Sequence, residues 1–245
     1  MDKEIVILSQ GLKKNYGSVQ ALRGMDLEVH RGEVFGFLGP NGAGKTTSIR
    51  CMLDMIRPNG GTLRVLGIDP QKDPLAVRAR VGYLPGELHI EGNFTVDAAL
   101  RYLHRLRGAK ADWDYTRRLA DRISLDLKMQ VKNLSKGNKQ KVGVIQALMH
   151  RPELLLLDEP TFGLDPLVQQ EVLRLVVEAR DEGATVFFSS HILSEVEAIA
   201  ERAGIIRSGV VAQIASLINR SLGRVMIRFK TPVDRAGWLR PWREY

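Results

Sequence analysis

Residues 39–47 form a glycine-rich stretch that restricts the possible folds more than any other part of the sequence. In order they are Gly39, Pro40, Asn41, Gly42, Ala43, Gly44, Lys45, Thr46 and Thr47. This order matches a phosphate-binding loop, in which backbone N–H groups and the positive end of a following helix dipole surround one anion. The apolar run 33–38 before it predicts a strand, and residues 48–53 after it predict a helix. We therefore predict a nucleoside triphosphate site, with Lys45 on the β- and γ-phosphates and Thr46 on Mg²⁺.

A second apolar run places acidic side chains where such a loop needs them. Four leucines, residues 154–157, predict a strand that is buried on both faces, as in a parallel sheet. Asp158 follows at the carboxyl end of this strand, which is the edge where open α/β sheets bind ligands. We predict that Asp158 holds the metal and that Glu159 acts as the general base on the attacking water. Each acid alone would also fit an ordinary strand end, but the phosphate-binding loop favours the catalytic interpretation.

A third strand, predicted at 184–190, ends directly in His191. That position brings the imidazole to the same sheet edge as Asp158 and Glu159, within reach of a γ-phosphate. It also fits a residue that caps the helix after it, and position alone favours neither interpretation. The remaining histidines have no comparable position and are expected at the surface; they are His30, His89, His104 and His150.

Residues 134–138, Leu-Ser-Lys-Gly-Asn, lie between the phosphate-binding loop and the leucine-rich strand and add a further motif in a fixed order. Together these motifs resemble those of ATP-binding cassette (ABC) ATPases, over about residues 3–220. The resemblance implies an α/β fold. Its parts are a P-loop NTPase core with a parallel sheet, an antiparallel β region near residues 3–30, and an inserted helical subdomain.

The same resemblance implies roles for residues outside the loop. Tyr16 corresponds to the aromatic residue that stacks on adenine, and His191 to the histidine that contacts the γ-phosphate. Ser135 and Gly137 correspond to the residues that contact the γ-phosphate held by a second cassette. One chain then contains two half-sites, so the implied assembly is a homodimer with ATP between its subunits.

Several positions depart from the family pattern. Lys136 and Asn138 stand in place of a glycine and a glutamine, and Phe162 replaces a small residue. Gly86 stands where the family has a glutamine that reaches Mg²⁺. Because glycine has no side chain to do this, either the neighbouring Glu87 or a water molecule takes over the metal contact.

The Lys-Gly-Asn motif and the string at residues 83–87, Tyr-Leu-Pro-Gly-Glu, resemble a branch of bacterial exporter ATPases of the bacitracin and daunorubicin type. This implies ATP hydrolysis coupled to export by a separate transmembrane permease, at the cytoplasmic face of the membrane. The alternative is a soluble ABC ATPase of translation or DNA repair, whose members generally carry two cassettes or a long coiled-coil insertion. A small-molecule kinase would share the phosphate-binding loop but leaves residues 134–138 unexplained.

Composition agrees with a cytosolic α/β protein. No apolar run approaches the roughly 18 residues of a membrane helix, and the single cysteine, Cys51, excludes an internal disulfide. Alternating short β runs and helical patterns are typical of α/β architecture. We expect an ATP-binding domain at 1–220 and the start of a C-terminal extension at 221–245, in which residues 224–230 alternate like an exposed strand.

The net charge of +8 lies entirely in residues 96–151, which hold 13 Lys and Arg against 5 Asp and Glu. This stretch predicts three helices, at 96–107, 113–123 and 137–149, and so forms the inserted subdomain. Its basic face fits either anionic lipid headgroups at a membrane surface or an ordinary solvated surface. Nucleic acid is not expected as a partner, because aromatic residues suited to base stacking are few and no recognised binding motif occurs.

Overall fold

The computed structural model of the chain describes residues 3–106, 112–218 and 226–229. In chain order the strands are β1 (Ile5–Tyr16), β2 (Val19–His30), β3 (Val34–Leu38), β4 (Gly60–Val65), β5 (Val81–Leu84), β6 (Leu154–Asp158), β7 (Thr185–Ser190), β8 (Arg202–Arg207), β9 (Val210–Ile218) and β10 (Met226–Phe229). The helices are α1 (Lys45–Met52), α2 (Pro74–Ala79), α3 (Val96–Leu106), α4 (Trp113–Arg122), α5 (Lys136–Leu148), α6 (Pro166–Asp181) and α7 (Leu193–Ile199).

The main sheet has the strand order β10-β9-β8-β3-β7-β6-β5. Strands β8, β3, β7, β6 and β5 run parallel to one another, whereas β9 and β10 add an antiparallel edge. Every residue of β3, β6 and β7 is buried, as expected for parallel strands covered on both faces. The predicted α/β core and its fully buried leucine strand are therefore confirmed.

A second, antiparallel sheet is formed by β2, β1 and β4 in that order, which confirms the β region predicted near residues 3–30. Its apolar face packs against the main sheet in one hydrophobic cluster that includes Leu27, Phe35 and Phe187. The other hydrophobic cluster lies beneath α3, α5 and α6 and includes Leu100, Ile145 and Val172. The main sheet thus has apolar cores on both faces.

The helical subdomain between β5 and β6 contains α3, α4 and α5, close to the three predicted helices; position 107 lies outside the described residues. On α3, His104 is buried, so the prediction that it lies at the surface is wrong. Leu100 and His104 are one turn apart and share the buried stripe, while Leu106 lies outside that stripe and is exposed.

Ion pairs connect this basic subdomain to the core. Arg122 of α4 donates to Glu171 of α6 at 2.6 Å and to Glu178 of the same helix. Arg151, at the end of the subdomain, pairs with Glu182 and lies 4.0 Å from the centre of the Tyr115 ring. Part of the positive charge concentrated in the sequence is therefore neutralised by acidic residues of the core.

Near the C-terminus, β10 pairs in antiparallel register with β9, with Met226 opposite Ile218. Four of the residues predicted as an alternating strand therefore extend the main sheet, and the remainder of 221–245 lies outside the described residues. In the part of the chain that the structure describes, every helix is too short or too polar to cross a membrane.

Candidate active site

The order of strands in the main sheet brings the predicted site residues together. Strand β3 lies beside β7, and β7 lies beside β6, all parallel. In the register of these strands Leu38 is opposite Ser190, and Ser189 is opposite Asp158. The phosphate-binding loop, Glu159 and His191 therefore leave the sheet at adjacent positions of its carboxyl edge, where open α/β sheets bind ligands.

The phosphate-binding loop is held in a shape that requires glycine. Gly44 caps α1 with φ of 114°, in the left-handed region, and a Cβ there would lie 2.9 Å from the carbonyl oxygen of Ala21. At Gly39 a Cβ would lie 2.5 Å from the carbonyl oxygen of Ile206. The loop opens into a cleft of about 170 Å³. The cleft is lined by Ala21, Asn41, Gly42, Gly44, Lys45, Thr46, Thr47 and Glu159.

A chain of contacts runs from Lys45 and Glu159, which line this cleft, to His191. The ammonium group of Lys45 donates to the carbonyl oxygens of Gly39 at 2.6 Å and Pro40 at 3.2 Å. It also lies 3.1 Å from Oε1 of Glu159, whose other oxygen lies 2.7 Å from Nδ1 of His191. An ionised carboxylate only accepts hydrogen bonds, so Nδ1 of His191 is the donor in this contact.

Asp158 is fully buried and uses both of its carboxylate oxygens. Oδ2 accepts a hydrogen bond from the hydroxyl of Thr46 at 2.6 Å, and Oδ1 accepts one from Ser189 at 2.6 Å. Burial raises the pKa of Tyr83 on β5, and the negative charge of Asp158 adds to that effect. Two oxygen ligands of the kind that Mg²⁺ prefers, Thr46 Oγ1 and Asp158 Oδ2, are thus adjacent at the mouth of the phosphate-binding loop.

The backbone of Glu159 is strained and restrained on both sides. Its φ of 52° lies in the left-handed region, which costs a non-glycine residue about 1–3 kcal/mol. Its N–H donates to the carbonyl oxygen of Ser189 at 3.2 Å. Its carbonyl oxygen accepts a hydrogen bond from the side-chain amide of Gln140, at 3.0 Å. Helix α5 and strand β7 therefore both restrain the backbone from which the Glu159 side chain projects.

Ser135 and Gly137 lie at the start of α5 and do not line the Lys45 cleft. The Ser135 side chain caps α5 by accepting a hydrogen bond from the N–H of Asn138, at 3.2 Å. A Cβ on Gly137 would lie 3.0 Å from the carbonyl oxygen of Gly163, so this helix start packs closely on the loop after Glu159. The two residues thus lie apart from the cleft that contains Lys45.

Tyr16 lies at the end of β1, with 46% of its surface exposed. The ammonium of Lys14 is 5.3 Å from the centre of its ring. The ring is therefore accessible for stacking.

Three of the departures from the family pattern meet in one place. A Cβ on Gly86 would lie 3.3 Å from Oδ2 of Asp158, so a side chain at this position would extend beside that carboxylate. The Glu87 carboxylate is instead 3.9 Å from Lys136 and 3.9 Å from His89, and its side chain is 68% exposed. Lys136 also lies 4.4 Å from the centre of the Phe162 ring. Glu87 is therefore oriented towards α5 rather than paired with Thr46 or Asp158.

Sequence reasoning did not single out Ala21, Gln140, Ser189 or Glu195. Ala21 lines the cleft from β2, and Ser189 and Gln140 hold Asp158 and Glu159. Only Ser189 carried a local signal, since it lies two residues before His191 on the predicted strand.

Comparison with known proteins identifies the family of this chain. A family model described as ABC transporter matches residues 22–162. The bacitracin transport ATP-binding protein BcrA of Bacillus licheniformis is 37% identical over 211 residues, which cover 83% of this chain and 67% of that protein. The chain thus spans about two thirds of the length of this relative.

Two solved structures share the fold. One, described as the ATP-binding subunit of an ABC transporter, has a TM-score of 0.78 at 28% identity and covers 86% of this chain and 90% of its own. The other is an ATP-binding cassette solved as a dimer in a post-hydrolysis state with ADP and Pi. It has a TM-score of 0.78 at 20% identity, over 87% of this chain and 99% of its own, and so supports the fold alone. The chain belongs to the ABC transporter family, as an ATP-binding subunit with the ATPase domain of that family.

Proposed function

We propose that this chain hydrolyses ATP between two copies of itself and couples the reaction to export by a separate membrane subunit. One observation carries the proposal: the Glu159 carboxylate is held between Lys45 and His191, beside the Thr46–Asp158 pair. A proton acceptor, a phosphate-binding cation and a pair of metal-ligating oxygens are thereby assembled at one sheet edge.

In this proposal each side chain has one task. Lys45 binds the β- and γ-phosphates, together with backbone N–H groups at the start of α1 and the dipole of that helix. Glu159 accepts the proton of the attacking water at its carboxylate, while His191 donates to that carboxylate and fixes its orientation. Tyr16 stacks on the adenine ring.

The residues fit Mg²⁺ as far as protein ligands are required. Thr46 and Asp158 offer adjacent oxygens, and no group of three or more His, Cys, Asp or Glu that could hold a metal occurs within 3–106, 112–218 and 226–229. Mg²⁺ is commonly held by one or two protein oxygens together with phosphate and water oxygens. When bound, it would neutralise charge on the transferred phosphate. For the metal contact that Gly86 cannot supply, we propose a water oxygen rather than the Glu87 carboxylate, a choice supported by the 3.9 Å distance between Glu87 and Lys136.

A homodimer follows from the separation of the two half-sites. Ser135 and Gly137 lie at the start of α5, outside the Lys45 cleft of their own chain. In a dimer, Ser135 and Gly137 of each subunit would close the Lys45 cleft of the other subunit. This chain has the residues of both half-sites. Two identical subunits are therefore sufficient.

The partner and the transported class are proposed from the relatives. The bacitracin transport protein is named as an ATP-binding component, which favours a separate permease here and an antimicrobial or multidrug substrate at the cytoplasmic face of the membrane. Arg105, Lys128 and Lys132 are exposed on the helical subdomain and form no ion pair among the described residues. Together with Arg118, which is exposed on α4 and likewise forms no ion pair among the described residues, they are available for contact with anionic lipid beside that permease.

The test is the variant Glu159→Gln, which keeps the size of the side chain but cannot take a proton from water. Turnover should fall by roughly 10²-fold or more, while ATP binding persists because Lys45, Thr46 and Asp158 are unchanged. Size-exclusion chromatography should then show a dimer with ATP and a monomer with ADP, and the added change Ser135→Arg should abolish the dimer.

Glu153→Gln is the matched control, because Glu153 lies immediately before β6, at the opposite end of the strand from Glu159. Its turnover should stay near that of the wild type. A Glu159→Gln protein that hydrolyses ATP at the wild-type rate would show that Glu159 is not the base. A monomer at saturating ATP would contradict the homodimer of the isolated subunit.

A further inference from the structure

Glu195, in the first turn of α7, is a buried carboxylate with no task in the hydrolysis proposed above. Only 8% of its surface is exposed. Oε1 accepts a hydrogen bond from the Thr161 hydroxyl at 2.7 Å, and Oε2 accepts one from the Ser190 hydroxyl at 2.6 Å. Both hydroxyl-bearing residues are themselves buried. One carboxylate therefore joins two segments that are far apart in the sequence.

These two segments carry the catalytic pair. Thr161 lies in the turn after Glu159, where the N–H of Phe162 donates to the Glu159 carbonyl at 3.1 Å. Ser190 is the last residue of β7 and directly precedes His191. Its hydroxyl also accepts a hydrogen bond from the N–H of Ile192, at 3.0 Å, so it binds the chain on both sides of His191.

Stability alone gives little reason for a carboxylate at this place. In the described part of the chain no Lys, Arg or His nitrogen lies within 4.0 Å of the Glu195 carboxylate, and its oxygens are bound by neutral hydroxyls. Burying a carboxylate without a cation costs free energy that two hydroxyls offset only in part. A carboxylate has two divergent acceptors, however, and two acceptors are what is needed to tie two hydroxyls to one rigid helix.

We infer that Glu195 is a positioning residue for hydrolysis, acting through Thr161 and Ser190 to hold Glu159 and His191 at their contact distance. The inference rests on the function proposed for Glu159. Helix α7 serves as the rigid support, since Val196 on it and Ala200 directly after it pack against Gly36 of the central strand β3. Loss of the Glu195 carboxylate would let the two segments move relative to each other without touching the phosphate-binding loop.

The test uses the full chain and three variants. Glu195→Met removes both acceptors but keeps the length of the side chain, and Glu195→Gln keeps one oxygen and adds an N–H₂ that can donate to a rotated hydroxyl. Glu197→Met is the matched control, since Glu197 lies on the same helix and is partly exposed. With Glu195→Met, kcat should fall roughly 10-fold or more, because small misplacements of catalytic groups have effects of that size. KM for ATP should stay within about threefold, as expected when ground-state binding is unaffected.

Two further readouts separate positioning from a general loss of structure. Glu195→Gln should recover most of kcat, and Glu197→Met should match the wild type. Thr161→Val removes one hydroxyl at nearly constant volume, and the double variant Glu195→Met/Thr161→Val should be no slower than Glu195→Met alone. If the two changes caused independent structural defects, their effects on kcat would add, and the double variant would be slower than Glu195→Met.

A folded Glu195→Met protein with wild-type kcat would overturn the inference, as would a rise in KM at unchanged kcat. If Glu195→Met does not fold, Thr161→Val and Ser190→Ala each remove one of the two bonds, and wild-type kcat in both would overturn it equally. Failure of the proposed function is a different result, namely a Glu159→Gln protein that turns over ATP as fast as the wild type.

Discussion

The contact between α7 and the central strand predicts that Gly36→Ala is strongly destabilising. A Cβ added to Gly36 would lie 2.3 Å from Cγ1 of Val196 and 3.2 Å from Cβ of Ala200. Carbon atoms pack at about 3.5–4.0 Å, so α7 must move away by roughly 1 Å. Val196 cannot easily rotate out of the way, because β-branched side chains have one strongly preferred rotamer in a helix.

Overpacking of this kind typically costs about 1–3 kcal/mol. For a domain of this size each kcal/mol lowers Tm by roughly 2–4 °C, so Gly36→Ala should melt about 2–12 °C below the wild type. Thermal or urea denaturation measures this. Because α7 carries Glu195 and begins just after His191, kcat should fall in the same variant.

A double-mutant cycle identifies the collision. Val196→Ala alone removes buried methyl groups worth about 0.8 kcal/mol each, but it also removes the atom that a Cβ at position 36 would meet. Gly36→Ala/Val196→Ala should therefore be more stable than the sum of the single changes by about 1 kcal/mol or more. Gly60→Ala is the control, since its Cβ would meet only Lys13, at 3.8 Å. Additive single changes, or a Gly36→Ala protein as stable as the control, would refute the reasoning.

Three other predictions follow from contacts near the site and at the subdomain boundary. Gln140→Leu removes the amide that binds the Glu159 carbonyl and should lower kcat by roughly 10-fold at unchanged KM for ATP; steady-state kinetics with wild-type kcat would contradict this. Arg122→Ala should cost about 1 kcal/mol at neutral pH, a value kept small because the pair is partly exposed and screened. The Arg122 hydrogen bond lowers the pKa of the Glu178 carboxyl below its usual 4.5, so this contribution is present above that pH and lost as the pH falls further. Urea titrations should show the difference between Arg122→Ala and wild type shrinking below pH 4.5, and a difference independent of pH would count against the ion pair. Cys51 is 1% exposed, and burial also raises the pKa of its thiol to about 11. A thiol reagent at pH 8 should therefore reach it only as fast as the chain unfolds, and rapid labelling of the native protein would be inconsistent with this structure.

The sequence was sufficient for those features that depend on neighbours along the chain. The phosphate-binding loop, the buried leucine strand and the acids after it are local patterns, and each pattern predicts its own place in an α/β sheet. His104 was predictable too, because it lies one turn after Leu100 on the apolar stripe of α3, and helical spacing outweighs the polarity of a single imidazole.

The remaining features depend on contacts between distant segments. Gln140 touches Glu159, and Glu195 touches Thr161, only because the sheet order brings α5, β6 and α7 together. The charge of the helical subdomain is another case. Its basic residues form one excess in the sequence, but Arg122 reaches across to acids on α6. A sequence pattern shows how many charged residues there are, but it does not show which of them are close enough in the fold to form ion pairs.

The position of β3 in the middle of the main sheet also determines when the protein can fold during synthesis. This strand ends at Leu38, yet its two hydrogen-bonding neighbours, β7 and β8, begin only at Thr185 and Arg202. At roughly 5–20 residues per second, β3 waits on the order of 10 s for a partner. Phe35 and Phe37, fully buried in the finished protein, stay uncovered by the sheet during that interval. The small β1–β2–β4 sheet can form first, whereas the nucleotide site can be completed only after β7 has been synthesised, so nascent chains of this protein should depend on chaperones that hold apolar strands.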